Sequence, residues 1–144
     1  MRVAMELSRI LICEHTGAQM IELRELDPID GQARWFPIVI GTAEALAIRE
    51  GVTEQLHVRP RTHELLYSTI EQLGATLESI TISNIEHGTF YATLDLVDHL
   101  GDLVEVDARP SDAIALASIH GTEIFAEDSV LQMTAHGVID DRDR

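Results

Sequence analysis

Apolar and polar residues alternate along three stretches in the first part of the chain, at residues 5–13, 19–26 and 33–40. A period of two is typical of a β-strand with one buried face. Turn-forming residues at 16–17 and 27–31 separate the stretches and predict tight connections. Pro37 lies inside the third stretch, and because proline cannot donate a backbone hydrogen bond, it predicts a strand at a sheet edge or a bulge.

Two helices are predicted next, at about residues 43–50 and 63–73. The second has apolar residues three and four positions apart, which lie on one helical face. Gly51 and Gly74 follow the two helices and are predicted to end them, as glycine often does just beyond a helix. Thr62 stands at the start of the second helix and is a predicted N-cap.

The second half of the chain repeats this plan, with strands predicted at residues 76–85, 90–96, 102–108 and 123–126 and helices at 112–119 and 129–136. The helix at 112–119 has almost no polar face, so we expect it to be buried. The last residues are too polar to pack and are predicted to fray. The whole pattern predicts an α+β fold, a mixed and largely antiparallel sheet covered by helices. It forms one domain over residues 1–137, followed by a polar tail at 138–144.

A short internal repeat links two of the predicted helices. Residues 44–48 and 112–116 share the order acid, alanine, aliphatic, alanine, aliphatic at an offset of 68 residues. Each copy follows a strand and a hydroxyl residue, Thr42 or Ser111, which is a predicted cap. We interpret the repeat as two fused similar halves whose alanine-faced helices approach closely and bring their leading acids together. Coincidence is the alternative for so short a repeat.

The corner before the second of these helices gathers several polar groups. Pro110 fixes its own backbone and pushes Arg109 toward an extended conformation. Asp112 lies where the positive end of the helix dipole favours a carboxylate. Two acids, an arginine and a serine are therefore expected together at the mouth of a buried helix.

This corner, DARPSDAIALA at residues 107–117, resembles the signature of the bifunctional nuclease domain family. Other stretches match that pattern in the same order, namely FPIVIG at 36–41 with EALAI at 44–48, RPRTHELL at 59–66 and GTFYA at 88–92. The resemblance covers roughly residues 5–137, nearly the whole chain. It implies the fold of that family and a nuclease acting on RNA and DNA, although a fold alone does not fix an activity.

The charge of the chain argues against simple nucleic-acid binding. The formal net charge is −15 at pH 7, and a field of that sign repels phosphates. A nucleic-acid role therefore requires a local basic patch, a bound divalent cation, or both. The alternative is that the charge serves solubility alone.

The rest of the composition excludes several classes of protein. A single cysteine, Cys13, excludes an intrachain disulfide and a multi-cysteine metal site, and its apolar neighbours predict that it is buried. No apolar run approaches the ~18 residues that a membrane helix needs. The N-terminus lacks the apolar region of a signal peptide. We therefore expect a cytoplasmic protein without membrane contact.

An acidic set forms the first candidate site, made of Glu44, Asp107 and Asp112, with Glu64 as a further candidate. Clustered carboxylates suit Mg²⁺ or Mn²⁺, which prefer oxygen ligands and retain water. Such a cation activates water and neutralises charge on a phosphodiester. The alternative is that Glu44 and Asp112 stabilise helix N-termini and pair with Arg109.

A basic set forms the second candidate site, made of Arg59, Arg61 and His63 around the predicted start of a helix. Helix N-termini bind anions through free amides, and two arginines strengthen that effect. His63 is a candidate general acid or base near neutral pH. The alternative is that Thr62 is only a cap and the arginines pair with surplus acids across the fold or a dimer interface.

Together with the resemblance, these residues predict a metal-assisted nuclease that is a homodimer. In that hypothesis Mg²⁺ or Mn²⁺ is held by Glu44, Asp107 and Asp112, the substrate by Arg59, Arg61, Arg109 and Ser111, and proton transfer and catalysis fall to His63, Asp107 and Asp112. The competing hypothesis is a non-catalytic regulatory or protein-interaction domain, or one that binds a small anion. Most other histidines are predicted to be solvated on the surface, namely His15, His57, His87, His99 and His136.

Overall fold

A computed structural model describes residues 1–12 and 17–134, and within them a seven-stranded sheet and four helices. The elements are β1 (Arg2–Ile12), β2 (Gln19–Glu25), β3 (Trp35–Ile40), α1 (Thr42–Val52), α2 (Thr62–Gln72), β4 (Thr76–Glu86), β5 (Thr89–Val97), β6 (Leu103–Ala108), α3 (Pro110–His120), β7 (Glu123–Glu127) and α4 (Asp128–Thr134). The sheet order is β3-β2-β1-β7-β4-β5-β6. Every neighbouring pair is antiparallel except β4 and β7. The predicted α+β class with a mixed, largely antiparallel sheet is confirmed.

The sheet consists of two antiparallel meanders on either side of β7. One meander is β1-β2-β3 and leads into α1, and the other is β4-β5-β6 and leads into α3. Because β7 is antiparallel to β1 and parallel to β4, the two meanders run in opposite directions. This arrangement agrees with the hypothesis of two similar halves.

The sheet is strongly curved, so its ends approach each other. Phe36 of β3 and Phe90 of β5 lie near opposite ends of the strand order, yet their rings stack with centroids 5.4 Å apart. The apolar face between them forms the core, which includes Leu23, Ile80 and Leu94. Burial of such side chains is the main favourable contribution to the free energy of folding.

The opposite side of β5 carries a polar network that the hydrophobic pattern did not predict. Asp95 is buried and accepts hydrogen bonds from the hydroxyls of Ser79, Thr81 and Thr93 at 2.7–2.9 Å. Arg2 lies 3.4 Å from the same carboxylate. A buried carboxylate needs such partners because an unpaired one is costly.

The buried helix α3 begins earlier than predicted. Pro110 is its first residue and Arg109 its N-cap, with no side-chain capping bond. Proline suits this position because its missing N–H is one that the helix cannot pair anyway. Ser111 is therefore a buried residue inside the first turn, and the prediction that it caps the helix was wrong.

The predictions that Thr42 and Thr62 cap their helices were wrong for a similar reason. The N-caps are Gly41 for α1 and Arg61 for α2, and neither residue caps its helix with its own side chain. Thr42 and Thr62 are the first helical residues. The helix-ending role predicted for Gly74 agrees with its φ of +84°, a backbone conformation that favours glycine.

Gly51 does not end its helix, because α1 continues to Val52. A Cβ added at Gly51 would lie 3.0 Å from the Cβ of Ser118 in α3. Glycine is thus needed here for close packing between α1 and α3. The predicted close approach of the two helices is confirmed, but the predicted role of Gly51 was wrong.

Several sequence predictions concern the sheet edges and the chain ends. Pro37 lies in β3, which is an edge strand, as predicted. Cys13, His15, His136 and the polar tail lie outside the described residues. In the described ranges no helix is long and apolar enough to cross a membrane.

Candidate functional site

A wide cleft of about 1280 Å³ opens between the two halves. Its walls come from α1, the segment that follows it, the first turns of α2, the end of β6 and one side of α3. The cleft therefore lies where the corner before α3 meets the N-terminal ends of α1 and α2. Both predicted candidate sites contribute residues to it.

Asp112 is the centre of a polar cluster at the mouth of the cleft. Its Oδ1 lies 2.9 Å from Nε2 of His63, and its Oδ2 accepts a 2.8 Å bond from Nε of Arg109. Arg109 also donates through Nη1 to Oε1 of Glu44 at 3.3 Å. One guanidinium thus bridges the two acids of the internal repeat, as the hypothesis of converging acids predicted.

The local backbone explains how Glu44 reaches this cluster. Glu44 lies in the first turn of α1, and a Cβ at the N-cap Gly41 would collide with its carboxylate. The missing side chain leaves room for Glu44 to fold back toward Arg109. A carboxylate in a first turn is also favoured by the helix dipole.

Electrostatics keep Asp112 ionised. Burial opposes its charge, but hydrogen bonds from Arg109 and His63 outweigh burial and hold the pKa of Asp112 below its ordinary value. The contact with Asp112 raises the pKa of Arg109, and the contact with Glu44 raises it further. An ionised carboxylate only accepts hydrogen bonds, so Nε2 of His63 carries the proton and donates it.

A second cluster of ion pairs and hydrogen bonds lines the same cleft. Oε2 of Glu50 lies 3.2 Å from Nε2 of His57, and Oε1 accepts a 3.1 Å bond from Nη1 of Arg61. Glu64 accepts the backbone N–H of Arg61 at 3.2 Å and lies 3.5 Å from His57. The side chain of His57 is only 9% exposed, so the prediction that it is solvated was wrong.

Arg61 and Glu64 were named from the sequence, and the alternative that the arginines pair with surplus acids holds for Arg61, which pairs with Glu50. Nothing in the sequence indicated, however, that Glu50 and His57 meet. Glu50 and His57 stand on either side of an irregular segment without periodicity, so their contact depends on how that segment folds. A further contact that the sequence did not indicate joins His120 of α3 to Tyr67 of α2, with ring centroids 4.5 Å apart.

The predicted site residues are distributed unequally over the structure. His63, Asp112, Arg109, Arg61 and Glu44 all line the cleft. These side chains belong to three helices and the corner before α3. The structure therefore unites most of the two candidate sites into one.

Three predicted residues lie apart from this group. Arg59 is exposed and Ser111 is buried, and neither is among the lining residues. Asp107 borders the cleft, but it follows Val106 in β6, and successive strand residues point to opposite faces. No hydrogen bond or ion pair in the described ranges joins Asp107 to Glu44 or Asp112.

The predicted metal site requires carboxylates that converge with free oxygens. Over residues 1–12 and 17–134, no three His, Cys, Asp or Glu side chains are arranged to hold a metal ion. Glu44 and Asp112 converge, but their oxygens are occupied by the guanidinium of Arg109. As arranged, the described side chains do not fit a divalent cation.

The cleft lining is acidic. Six acidic residues line it against only two arginines, the acids being Glu44, Glu50, Glu54, Glu64, Asp107 and Asp112 and the cations Arg61 and Arg109. The sign of the whole chain is thus repeated locally, and the predicted basic patch is reduced to two guanidinium groups.

Comparison with known proteins places these features in context. The sequence profile described as "Bifunctional nuclease domain" matches residues 26–138. An uncharacterised protein of Mycobacterium tuberculosis strain H37Rv is 38% identical over 113 residues, which are 76% of this chain and 65% of that protein. Bifunctional nuclease 1 and Bifunctional nuclease 2 of Arabidopsis thaliana are 25% and 26% identical over 125 residues, which are 80% of this chain and 38% of each relative. The chain thus spans less than two thirds of the length of these relatives.

Proposed function

Since this chain belongs to the bifunctional nuclease domain family, we propose that it hydrolyses phosphodiester bonds of RNA and DNA at the mouth of the cleft. The observation that carries this proposal is the contact of 2.9 Å between His63 and Asp112, with Arg109 on the other side of the same carboxylate. A histidine oriented by a carboxylate, next to an arginine, is suited to proton transfer beside a bound phosphate.

His63 acts as the general base in this proposal. Its Nε2–H is held by Asp112, so in the neutral ring Nδ1 is the nitrogen that accepts a proton. Nδ1 takes a proton from a water molecule as the water oxygen bonds to phosphorus. The P–O ester bond breaks, the leaving oxygen takes that proton from Nδ1, and the products are a phosphate monoester and an alcohol.

Arg109 binds the scissile phosphate. Its three bonds to Asp112 and Glu44 leave N–H groups unused, and the side chain is 64% exposed. Arg61 and the first amides of α2 lie along the same cleft and bind a neighbouring phosphate. Glu44 keeps the guanidinium of Arg109 in position.

Dependence on Mg²⁺ or Mn²⁺ remains part of the proposal. Magnesium is commonly bound by one or two carboxylates together with substrate phosphates, and Glu44 and Asp112 are the acids nearest the proposed phosphate position. Arg109 now holds both, so no step above is assigned to a metal. A homodimer and a cytoplasmic location are proposed with it.

Cleavage of labelled single-stranded RNA and DNA tests the proposal. Purified protein is compared with Asp112→Ala and His63→Gln, each with Mg²⁺, with Mn²⁺ and with EDTA. We expect both variants to lose about 100-fold or more in cleavage rate, the usual contribution of an acid–base group. Loss of cleavage in EDTA would support the metal.

A matched control variant shows whether loss of cleavage depends on the position of the histidine, and it also detects a contaminating nuclease. His99→Gln removes the same side chain from an exposed turn outside the cleft and should cleave as the parent does. Equal activity in all proteins would assign the cleavage to a contaminating nuclease. No cleavage by any of them would overturn the proposal in favour of a non-catalytic domain.

A further inference from the structure

The cleft has an apolar wall that the proposed nuclease chemistry does not use. Leu46 of α1, Leu66 of α2 and Val106 of β6 line it with exposed fractions of 48%, 41% and 40%. Leu56, in the segment between α1 and α2, lines it as well and is 96% exposed. Apolar side chains gathered in one exposed concave surface are typical of an interaction site.

On the β6 side the wall is exposed, because no other described element covers this strand. Every residue of this edge strand is exposed or half-buried, and Val104, which lies on the same face as Val106, is also 40% exposed. The opposite edge strand, β3, buries Phe36, Ile38 and Ile40 on its core face. The two similar halves therefore differ here, and the apolar face of β6 lacks the packing that β3 has.

Charge defines the kind of partner that fits this surface. The cleft holds six acids against two arginines, and the chain as a whole carries −15. A second copy would bring another −15 to the same surface. A partner with positive charge is attracted both at long range and at the cleft rim.

We propose that the cleft binds a basic amphipathic segment of another protein, with leucine-like side chains on one face and Lys or Arg on the other. Its apolar face covers Leu46, Leu66 and Val106, while its cations meet the rim carboxylates, among them Glu54. The volume of about 1280 Å³ exceeds the ~300–1,000 Å³ of small-molecule pockets and suits a helix laid in a groove. This inference does not rest on the nuclease proposal.

Fluorescence anisotropy with labelled model peptides tests the inference on the full chain. Three peptides of equal length are used: one of leucine and lysine in helical amphipathic order, one with serine in place of leucine, and one with glutamate in place of lysine. We expect the leucine–lysine peptide to bind at least about tenfold more tightly than either of the others, since it alone has both features.

Paired variants locate the binding surface. Leu66→Ser should weaken binding of the leucine–lysine peptide by about tenfold, whereas Leu73→Ser, which removes an exposed leucine just beyond the end of α2 outside the cleft, should not. Glu54→Lys should weaken binding several-fold, whereas Glu71→Lys changes the net charge equally outside the cleft and should have little effect. Circular dichroism verifies that each variant is folded.

Other results would overturn the inference. If the serine–lysine peptide bound equally well, or if Glu54→Lys and Glu71→Lys weakened binding equally, the binding would be explained by attraction between opposite net charges alone. Preference for the glutamate peptide would contradict it directly. Sedimentation equilibrium showing a dimer that Leu66→Ser dissociates would assign the wall to a second copy of this chain instead.

Discussion

Asp112 connects the three parts of the candidate site through a single carboxylate. It lies in the first turn of α3, accepts from Arg109 three residues earlier, and contacts His63 on α2. A carboxylate in this place is favoured by the helix dipole even without those partners. Stabilisation of the helix start and the proposed chemistry are therefore compatible roles for Asp112, because both use the same position in the first turn of α3.

The lowered pKa of Asp112 predicts a specific dependence of stability on pH. A depressed pKa contributes stability that is complete above the ordinary value of 3.8 and is lost as pH falls through the folded value. We expect Asp112→Asn to lower the free energy of unfolding by about 1 kcal/mol near neutral pH. That deficit should shrink as the pH falls below 3.8.

Urea unfolding followed by circular dichroism over a pH series measures this deficit. The matched control is Asp27→Asn, which removes an exposed carboxylate outside the cleft and should change the free energy of unfolding by less than about 0.5 kcal/mol near neutral pH. A deficit for Asp112→Asn that stayed constant from neutral to acid pH would contradict the assigned cause of the pKa shift.

Helices α1 and α3 set the geometry of the site, because they carry Glu44 and Asp112. Their close packing depends on Gly51, where a Cβ would lie 3.0 Å from Ser118. The alanines predicted to face each other are buried, including Ala45 and Ala113. Small residues on both helices therefore allow the approach that places two acids on one guanidinium.

Enlarging Gly51 should force these helices apart. We expect Gly51→Leu to lower the free energy of unfolding by about 1–3 kcal/mol, the usual cost of inserting atoms into a packed interface. Val52→Leu changes the next residue, which is 52% exposed, and should change the free energy by less than about 0.5 kcal/mol. Urea unfolding compares the two variants, and equal effects would show that the helices do not approach as closely as described.

The net charge of −15 acts on every partner of the molecule. It repels nucleic acid at long range. Among the described residues that line the cleft, Arg61 and Arg109 are the two arginines. Binding of a phosphate chain at this cleft must therefore depend on a few local contacts.

This balance predicts a shallow salt dependence of nucleic-acid binding. Two arginine contacts with single-stranded phosphates give a slope of log affinity against log salt of about −1.4. Screening of the long-range repulsion by salt makes the observed slope shallower still. Anisotropy of a labelled oligonucleotide over a salt series measures it, and a slope steeper than about −4 would place the binding on basic residues outside this cleft.

The order and type of the helices and strands were predictable because their signals are local. Alternating residues marked the strands, and the nearly apolar run after Pro110 marked the buried helix. Pro37 correctly indicated an edge strand. The predictions that Thr42, Thr62 and Ser111 cap helices were wrong, because all three residues lie inside the first turn. The exact first residue of a helix depends on backbone geometry that residue type alone does not indicate.

The candidate site was predictable only in its parts. Glu44, His63, Arg109 and Asp112 were each named from local features, and the repeat correctly indicated that two acids converge. The remaining contacts depend on segments without periodicity, as with Glu50 and His57, or on strand faces, as with Asp107.

By itself the sequence determined the α+β class, the polar corner before a buried helix, and the excess of negative charge. These follow from residue spacing, from proline and glycine geometry, and from counting charges. Only the tertiary structure decided that Arg109 lies between Glu44 and Asp112, that the side chain of His57 is only 9% exposed, and that β6 stays exposed among the residues that the structure describes. Such features depend on the packing of elements distant in the chain, where a displacement of a few ångströms makes or breaks a hydrogen bond.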